Sequence, residues 1–401
     1  MMRYLLYSFI LLTLALNIGC STVDVRSAAV VELTREASDI PEAELLDIGI
    51  RVFNGGLADL DQSDEDTIVF PEIRLAEASY FPQLLMQTLQ DSSAWGAVRV
   101  IPSQHQFVDV VVDGTIIESD GETLTLAISV NDAQGKQWFK KTYTHRTSSY
   151  SYKDKAQRHS DPFRTIYNQI ANDLNNHRQS LTSAELVNLR KITQLKFAQS
   201  LAPIIYQQHL GKNAQGHYTV KRLPAENDPM LARVQQIKDR DNLFIDTLQQ
   251  YYESYAKEMS KPYQQWRSES YREVIAVNKL KQRASQEKVL GIATIIAGIL
   301  GVRSSDASAR AASTLAVSGG AYVIKSGYDR DSDAQIHIDT LQELGDSLEA
   351  SIAPSVIELE DRTVTLTGTV SNQYQQWREI LQQIYQLDTG IVTPNQVLPN
   401  E

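Results

Sequence analysis

From Leu45 to Tyr143 the apolar positions follow two rhythms. Leu45–Phe53 alternates apolar with other residues, the period of a half-buried strand, and Asn54-Gly55-Gly56 turns the chain because glycine accepts positive φ. Ile73–Gln90 shifts to a three-and-four spacing. It places Ala76, Tyr80, Leu84, Leu85 and Leu89 on one helix face, with Pro82 expected to break the helix or open a second one. Strand periods return at Ala97–Ile101, Val108–Ile117, Thr123–Val130 and Gln137–Tyr143. Ser119-Asp120-Gly121-Glu122 and Asp132-Ala133-Gln134-Gly135 supply Asp and Gly for tight reversals between the last three. The order β-α-β-β-β-β predicts an α+β domain over residues 44–148, a mostly antiparallel sheet packed on one or two helices.

Residues 149–228 read as a linker and helices. Tyr150–His159 is polar; Asp161-Pro162 then offers an N-cap and a first-turn proline ahead of Phe163, Ile166, Tyr167, Ile170 and Leu174. Thr182 and Glu185 have capping-box spacing before Leu186, Leu189, Ile192 and Leu195, and Pro203 lies beyond that helix. Asp228-Pro229 opens a long helical section, 229–287, whose Phe244, Leu248, Tyr251, Tyr255 and Met259 form a seam that needs a partner; Pro262 is expected to interrupt it. Residues 288–328 read as a helical hairpin, with small residues four apart at Ala293, Ala297 and Gly301 and again at Ala312, Ala316 and Gly320. Its apolar stretch Val289–Val302 is too short to span a bilayer. Residues 329–401 form a small α+β unit and tail: a helix capped by Asp333, a hairpin of Val356–Leu359 and Thr363–Val370, and a helix over Gln373–Tyr385. Gly390–Val397 is a poor third strand because it contains a proline. The pentamer Tyr263-Gln264-Gln265-Trp266-Arg267 returns as Tyr374-Gln375-Gln376-Trp377-Arg378, but the flanks diverge, so the pair reads as two Gln-rich helices sharing five letters.

The first twenty residues change the picture. Arg3 gives a positive start, Tyr4–Ile18 is an apolar run broken only by Ser8, Thr13 and Asn17, and Gly19 precedes Cys20, the one cysteine in the chain. This is a secretory signal pattern over residues 1–19. Leu16-Asn17-Ile18-Gly19-Cys20 resembles the bacterial lipobox, which implies that Cys20 is the lipid-attachment residue and becomes the diacylated mature N-terminus. Residues 20–43 would then be a lipidated tether, and Ser21 implies sorting to the outer membrane. With a single cysteine no intramolecular disulfide can form, so packing alone must stabilise the fold. A net charge of −11 argues against nucleic acid as a partner.

Further resemblances follow from particular residues. Tyr80-Phe81-Pro82-Gln83-Leu84-Leu85, Val110-Val111-Val112-Asp113-Gly114-Thr115-Ile116 and Asp132-Ala133-Gln134-Gly135-Lys136-Gln137-Trp138, in this strand and helix order, resemble the periplasmic domain of outer-membrane lipoproteins. That group includes the curli secretion channel and the lipoprotein activators of penicillin-binding proteins. The segment Arg362-Thr363-Val364-Thr365-Leu366-Thr367-Gly368-Thr369-Val370, followed by a helix, is similar to a BON domain, a module associated with phospholipid or envelope binding. The hairpin 288–328 resembles glycine-zipper segments of outer-membrane lipoproteins.

Reactive chemistry does not surface in the sequence. His105, His145, His159, His177, His209, His217 and His337 include no pair at metal-binding spacing, and there is no nucleophile elbow or phosphate-cradling glycine loop. The acidic run Asp59, Asp61, Asp64, Glu65 and Asp66 lacks EF-hand order and reads as a solvated loop. No catalytic residue, cofactor or metal is therefore expected; a cell-wall hydrolase whose carboxylates meet only on folding is the remaining enzymatic reading. The expectation is a non-enzymatic lipoprotein on the periplasmic face of the outer membrane. It would act as a binding or assembly factor for envelope proteins or the peptidoglycan machinery. The alternative is a membrane-associating or pore-associated homo-oligomer that uses residues 288–328.

Overall fold

The computed structural model describes residues 31–57, 71–153, 161–225, 227–286, 343, 355–358 and 363–390. The fold is mixed α+β, with a five-stranded sheet in the N-terminal part and helices after it. The strands are β1 (Ile48–Arg51), β2 (Val98–Ile101), β3 (Val110–Ser119), β4 (Thr123–Asp132) and β5 (Gln137–Arg146), in the order β2-β1-β3-β4-β5. Helix α1 (Pro71–Asp91) carries the chain from β1 to β2, so these strands pair in parallel, and β1 also pairs in parallel with β3; β3, β4 and β5 are antiparallel. The parallel half refines the expected sheet, because a helix crossover returns the chain in the same direction whereas a short hairpin turn reverses it.

Alternation decides the faces. Ile48, Ile50, Val110, Val112, Ile116, Leu126, Ile128 and Val130 are buried on one side, where α1 packs on β1 to β3 and α3 (Arg164–Ser180) packs on β5. The opposite side carries the Arg51–Asp113 pair, Thr115, Ser129 and Asn131, all partly exposed. Pro82 lies inside α1 without ending it. A proline there cannot bond the carbonyl four residues back, and that carbonyl, of Ala78, instead accepts the Phe53 N–H at 2.8 Å. The Asp residues of both hairpins act as foreseen: Asp120 accepts from Glu122 and Thr123, and Asp132 from Gln134 and Lys136.

After β5, α2 (Ser149–Lys153) occupies part of the expected linker. Asp161 accepts the Phe163 N–H at 2.7 Å, but Phe163 is the residue that precedes α3, so the start lies later than the Asp-Pro pair indicated. The capping box of Thr182 and Glu185 opens α4 (Ser183–Leu201), and Pro203 begins the one-turn α5 (Pro203–Tyr206). A hairpin of β6 (Leu210–Lys212) and β7 (Tyr218–Val220), absent from the sequence expectation, follows. Asp228 accepts from Met230 and Leu231 and starts α6 (Pro229–Gln286), which runs for 58 residues straight through Pro262. The expected interruption does not occur; Met259, Tyr263 and Trp266 are buried on both sides of the proline and keep the seam continuous. Midway along the helix the seam uses Tyr252, with Tyr251 only half-buried.

Helix α6 seals the β2 edge of the sheet. Gln249 bonds both main-chain groups of Val100, N–H to Oε1 and Nε2 to carbonyl, each at 2.8 Å, and Arg99 pairs with Asp246 at 2.6 Å. Further along, Gly121 in the β3–β4 turn meets the α6 backbone at Arg267 and Tyr271, so closely that a Cβ would collide. The C-terminal part contributes a hairpin of β8 (Ser355–Glu358) and β9 (Thr363–Leu366), then α7 (Val370–Thr389), which packs on α6 and ends at Gly390 with φ 64°.

Residues expected in the tether are partly docked. Asn168 and Asn172 hold the carbonyls of Val31 and Glu32, Arg178 pairs with Glu36 at 2.6 Å, and Glu42–Glu44 forms a 3-10 turn against α4. Cys20 and the signal region, the acidic run 58–70, the hairpin 288–328, the Asp333 helix apart from Glu343, and 391–401 lie outside the described residues.

Candidate functional site

The two copies of Tyr-Gln-Gln-Trp-Arg do the same work. In α6, Tyr263 donates its hydroxyl to Glu77 at 2.5 Å, Trp266 is buried, and the Arg267 guanidinium lies 4.1 Å from the Phe163 ring, 4.5 Å from Tyr263 and 5.6 Å from Phe81. Arg267 is fully buried, faces Asp161 at 3.7 Å, and none of its three nitrogens makes a hydrogen bond among the described residues. Rings and a carboxylate thus replace its hydration. Burial raises the Glu77 carboxyl above its ordinary range, opposed by Arg74 and Arg267.

In α7, Tyr374 shares a 2.7 Å hydrogen bond with His105 and reaches Asp241 at 3.5 Å. Trp377 packs on Phe244, and Arg378 lies 4.7 Å over Phe107 and 4.9 Å over Phe197, with Asp241 at 3.8 Å and Ser200 at 2.9 Å. Each pentamer therefore seats a tyrosine on a buried polar pair, a tryptophan in the core, and an arginine between two phenylalanines beside a carboxylate. The shared letters, read from sequence as coincidence, mark equivalent contacts. They hold α6 against α1 and α3, and α7 against α6 and α4.

Above the first of these sockets lies an open trough of about 880 Å³. Its walls are helical stripes: Tyr80, Leu84, Gln87 and Asp91 from α1, and Lys261, Gln264, Gln265, Ser268 and Arg272 from α6. Tyr152 and the Asp161-Pro162 turn close one side, with Arg164 and Tyr167 of α3. Beneath the lining, the Tyr167 hydroxyl and Asp161 Oδ2 are buried and have no hydrogen-bond partner among the described residues. The pentamer explains this placement: burying Tyr263, Trp266 and Arg267 turns Gln264, Gln265 and Ser268 toward the trough.

No family model, curated protein or solved structure matches this chain.

Cys20, the lipid-attachment residue inferred from sequence, lies outside the described residues, so the structure places neither it nor the signal. Of the histidines, His105 and His145 are buried and His209 bonds the Arg222 carbonyl. Among the described residues no His, Cys, Asp or Glu group is arranged to hold a metal ion, and no helix is long and apolar enough to cross a membrane. The buried carboxylates are engaged internally: Asp109 with Thr193 and the Asp47 N–H, and Asp132 with Trp138 and its own turn. Sequence reading missed the trough, because its walls come from segments nearly two hundred positions apart. The one signal available was the repeated pentamer, whose Gln pair sits between buried letters.

Proposed function

We propose that this protein is a non-enzymatic lipoprotein of the outer membrane, held at the periplasmic face by a diacylated Cys20, and that it acts as a binding and assembly factor in the cell envelope. The observation that carries the binding role is the trough: a wide, open channel lined by amides, hydroxyls and charges beside apolar side chains. The anchor rests on the lipobox-like residues before Cys20. Docking of the chain from Val31 onward supports a short reach, since Ser21–Val30 can extend at most about 35 Å. A body confined so close to the membrane meets envelope partners at an effective concentration on the order of millimolar, so modest affinity suffices.

Intact mass and membrane fractionation test this reading, on the wild type beside Cys20→Ser and a deletion of 289–328. Lipid on the wild type and release of Cys20→Ser into the soluble fraction are expected. Retention of Cys20→Ser together with release of the deletion would instead favour an oligomer that associates with the membrane through 288–328.

A further inference from the structure

The trough has a length and a charge. At the helical rise, the stripes Tyr80 to Asp91 and Ser260 to Arg272 run about 16–18 Å, the span of about five extended residues. Its charge runs against that of the chain. Arg164, Lys261 and Arg272 line it, exposed, and enter no ion pair among the described residues; of the two lining carboxylates, Asp161 already has Arg267 at 3.7 Å. On a chain of net charge −11, this local excess of cations selects an anionic occupant.

Helix α6 already shows how it treats an extended main chain. About three turns before the trough, Gln249 pairs with both main-chain groups of Val100. Gln264 and Gln265 bring the same side chain into the trough. A sugar strand is less suited, because Tyr80 and Tyr167, 3% and 2% exposed, present almost no ring face for stacking.

Resting on the binding reading above, we infer that the trough binds an extended acidic peptide segment of about five residues. Gln264 and Gln265 pair with its main chain, and Arg164, Lys261 and Arg272 hold its carboxylates. The test is selection of a phage-displayed library of seven-residue peptides on the full chain in detergent, followed by anisotropy of the commonest selected peptide. Expected are sequences rich in Asp and Glu and affinity that falls with salt. A loss of at least tenfold is expected in the Lys261→Glu, Arg272→Glu double variant. Gln265→Leu, at an exposed position, probes the same wall without touching charge, and circular dichroism confirms that each variant is folded. Selected peptides without acidic enrichment, or binding indifferent to the charge reversal, would overturn the inference. So would displacement of the peptide by soluble N-acetylated glycan chains. Because lipid loading and fractionation are read separately, failure here removes the peptide and leaves the anchor reading standing.

Discussion

A guanidinium taken out of water without a single hydrogen bond depends on what stands in for its hydration. At Arg267 that is three aromatic rings and Asp161. Arg267→Ala is expected to cost about 3–5 kcal/mol by urea denaturation, since it strands Asp161 beside a cavity. Arg267→Met combined with Asp161→Asn, which keeps the turn to Phe163, should recover most of that loss. The second socket titrates. Burial pushes Asp241 from 3.8 up to about 6 against Arg378, Lys238 and the bond from Tyr374; burial pulls His105 from 6.5 down to about 3, with Arg378, Lys238, Arg99 and Arg51 acting the same way. Asp241, raised on folding, contributes stability that is present below 3.8 and lost as pH rises through about 6. His105, lowered on folding, contributes stability that is present above 6.5 and lost as pH falls toward about 3. The two slopes oppose each other over the same interval. Asp241→Asn should therefore lose stability between pH 7 and pH 5, and His105→Gln should gain it, each by up to about 1.4 kcal/mol per pH unit. Urea midpoints at the two pH values decide, and a wild-type slope in both variants would contradict the assignment. The pentamers were legible as letters. Their meaning was not, because the partners Phe81, Phe163, Phe107 and Phe197 lie in four other segments.

At the scale of elements, local signals succeeded where the satisfying group was also local. The Thr182–Glu185 box and the Asp120 and Asp132 turns formed as their spacing required. Both prolines misled for the opposite reason. The carbonyl orphaned by Pro82 finds Phe53, across a turn and on a different element, and the helix at Pro262 is held by side chains packed on other segments. An interior proline ordinarily costs about 3 kcal/mol. Here Pro82→Ala is expected to change stability by less than about 1 kcal/mol, because the Ala78 carbonyl is already bonded; a gain near the ordinary figure would show that the Phe53 bond contributes nothing. The β6–β7 hairpin escaped notice because its strands have three residues each, too few to display a period.

At the scale of the molecule, the α+β domain was legible from Leu45 onward, since one buried sheet face leaves a clear alternation. What joins its parts was not. Helix α6 caps the β2 edge, lies against the β3–β4 turn, walls the trough and receives α7, and each contact brings together residues more than a hundred positions apart or a glycine chosen for closeness. Along that spine lies the broad trough, on a body that we propose is held near the membrane by a lipid at Cys20. Photo-crosslinking in cells from a benzophenone amino acid at Gln265 tests this most directly, read in the wild type and in Cys20→Ser, with Leu387, 73% exposed on α7, as the control position. A discrete adduct from position 265 that weakens in Cys20→Ser and does not form from position 387 is expected. Equal labelling from both positions, or none from 265 in the anchored protein, would contradict the trough as the binding site.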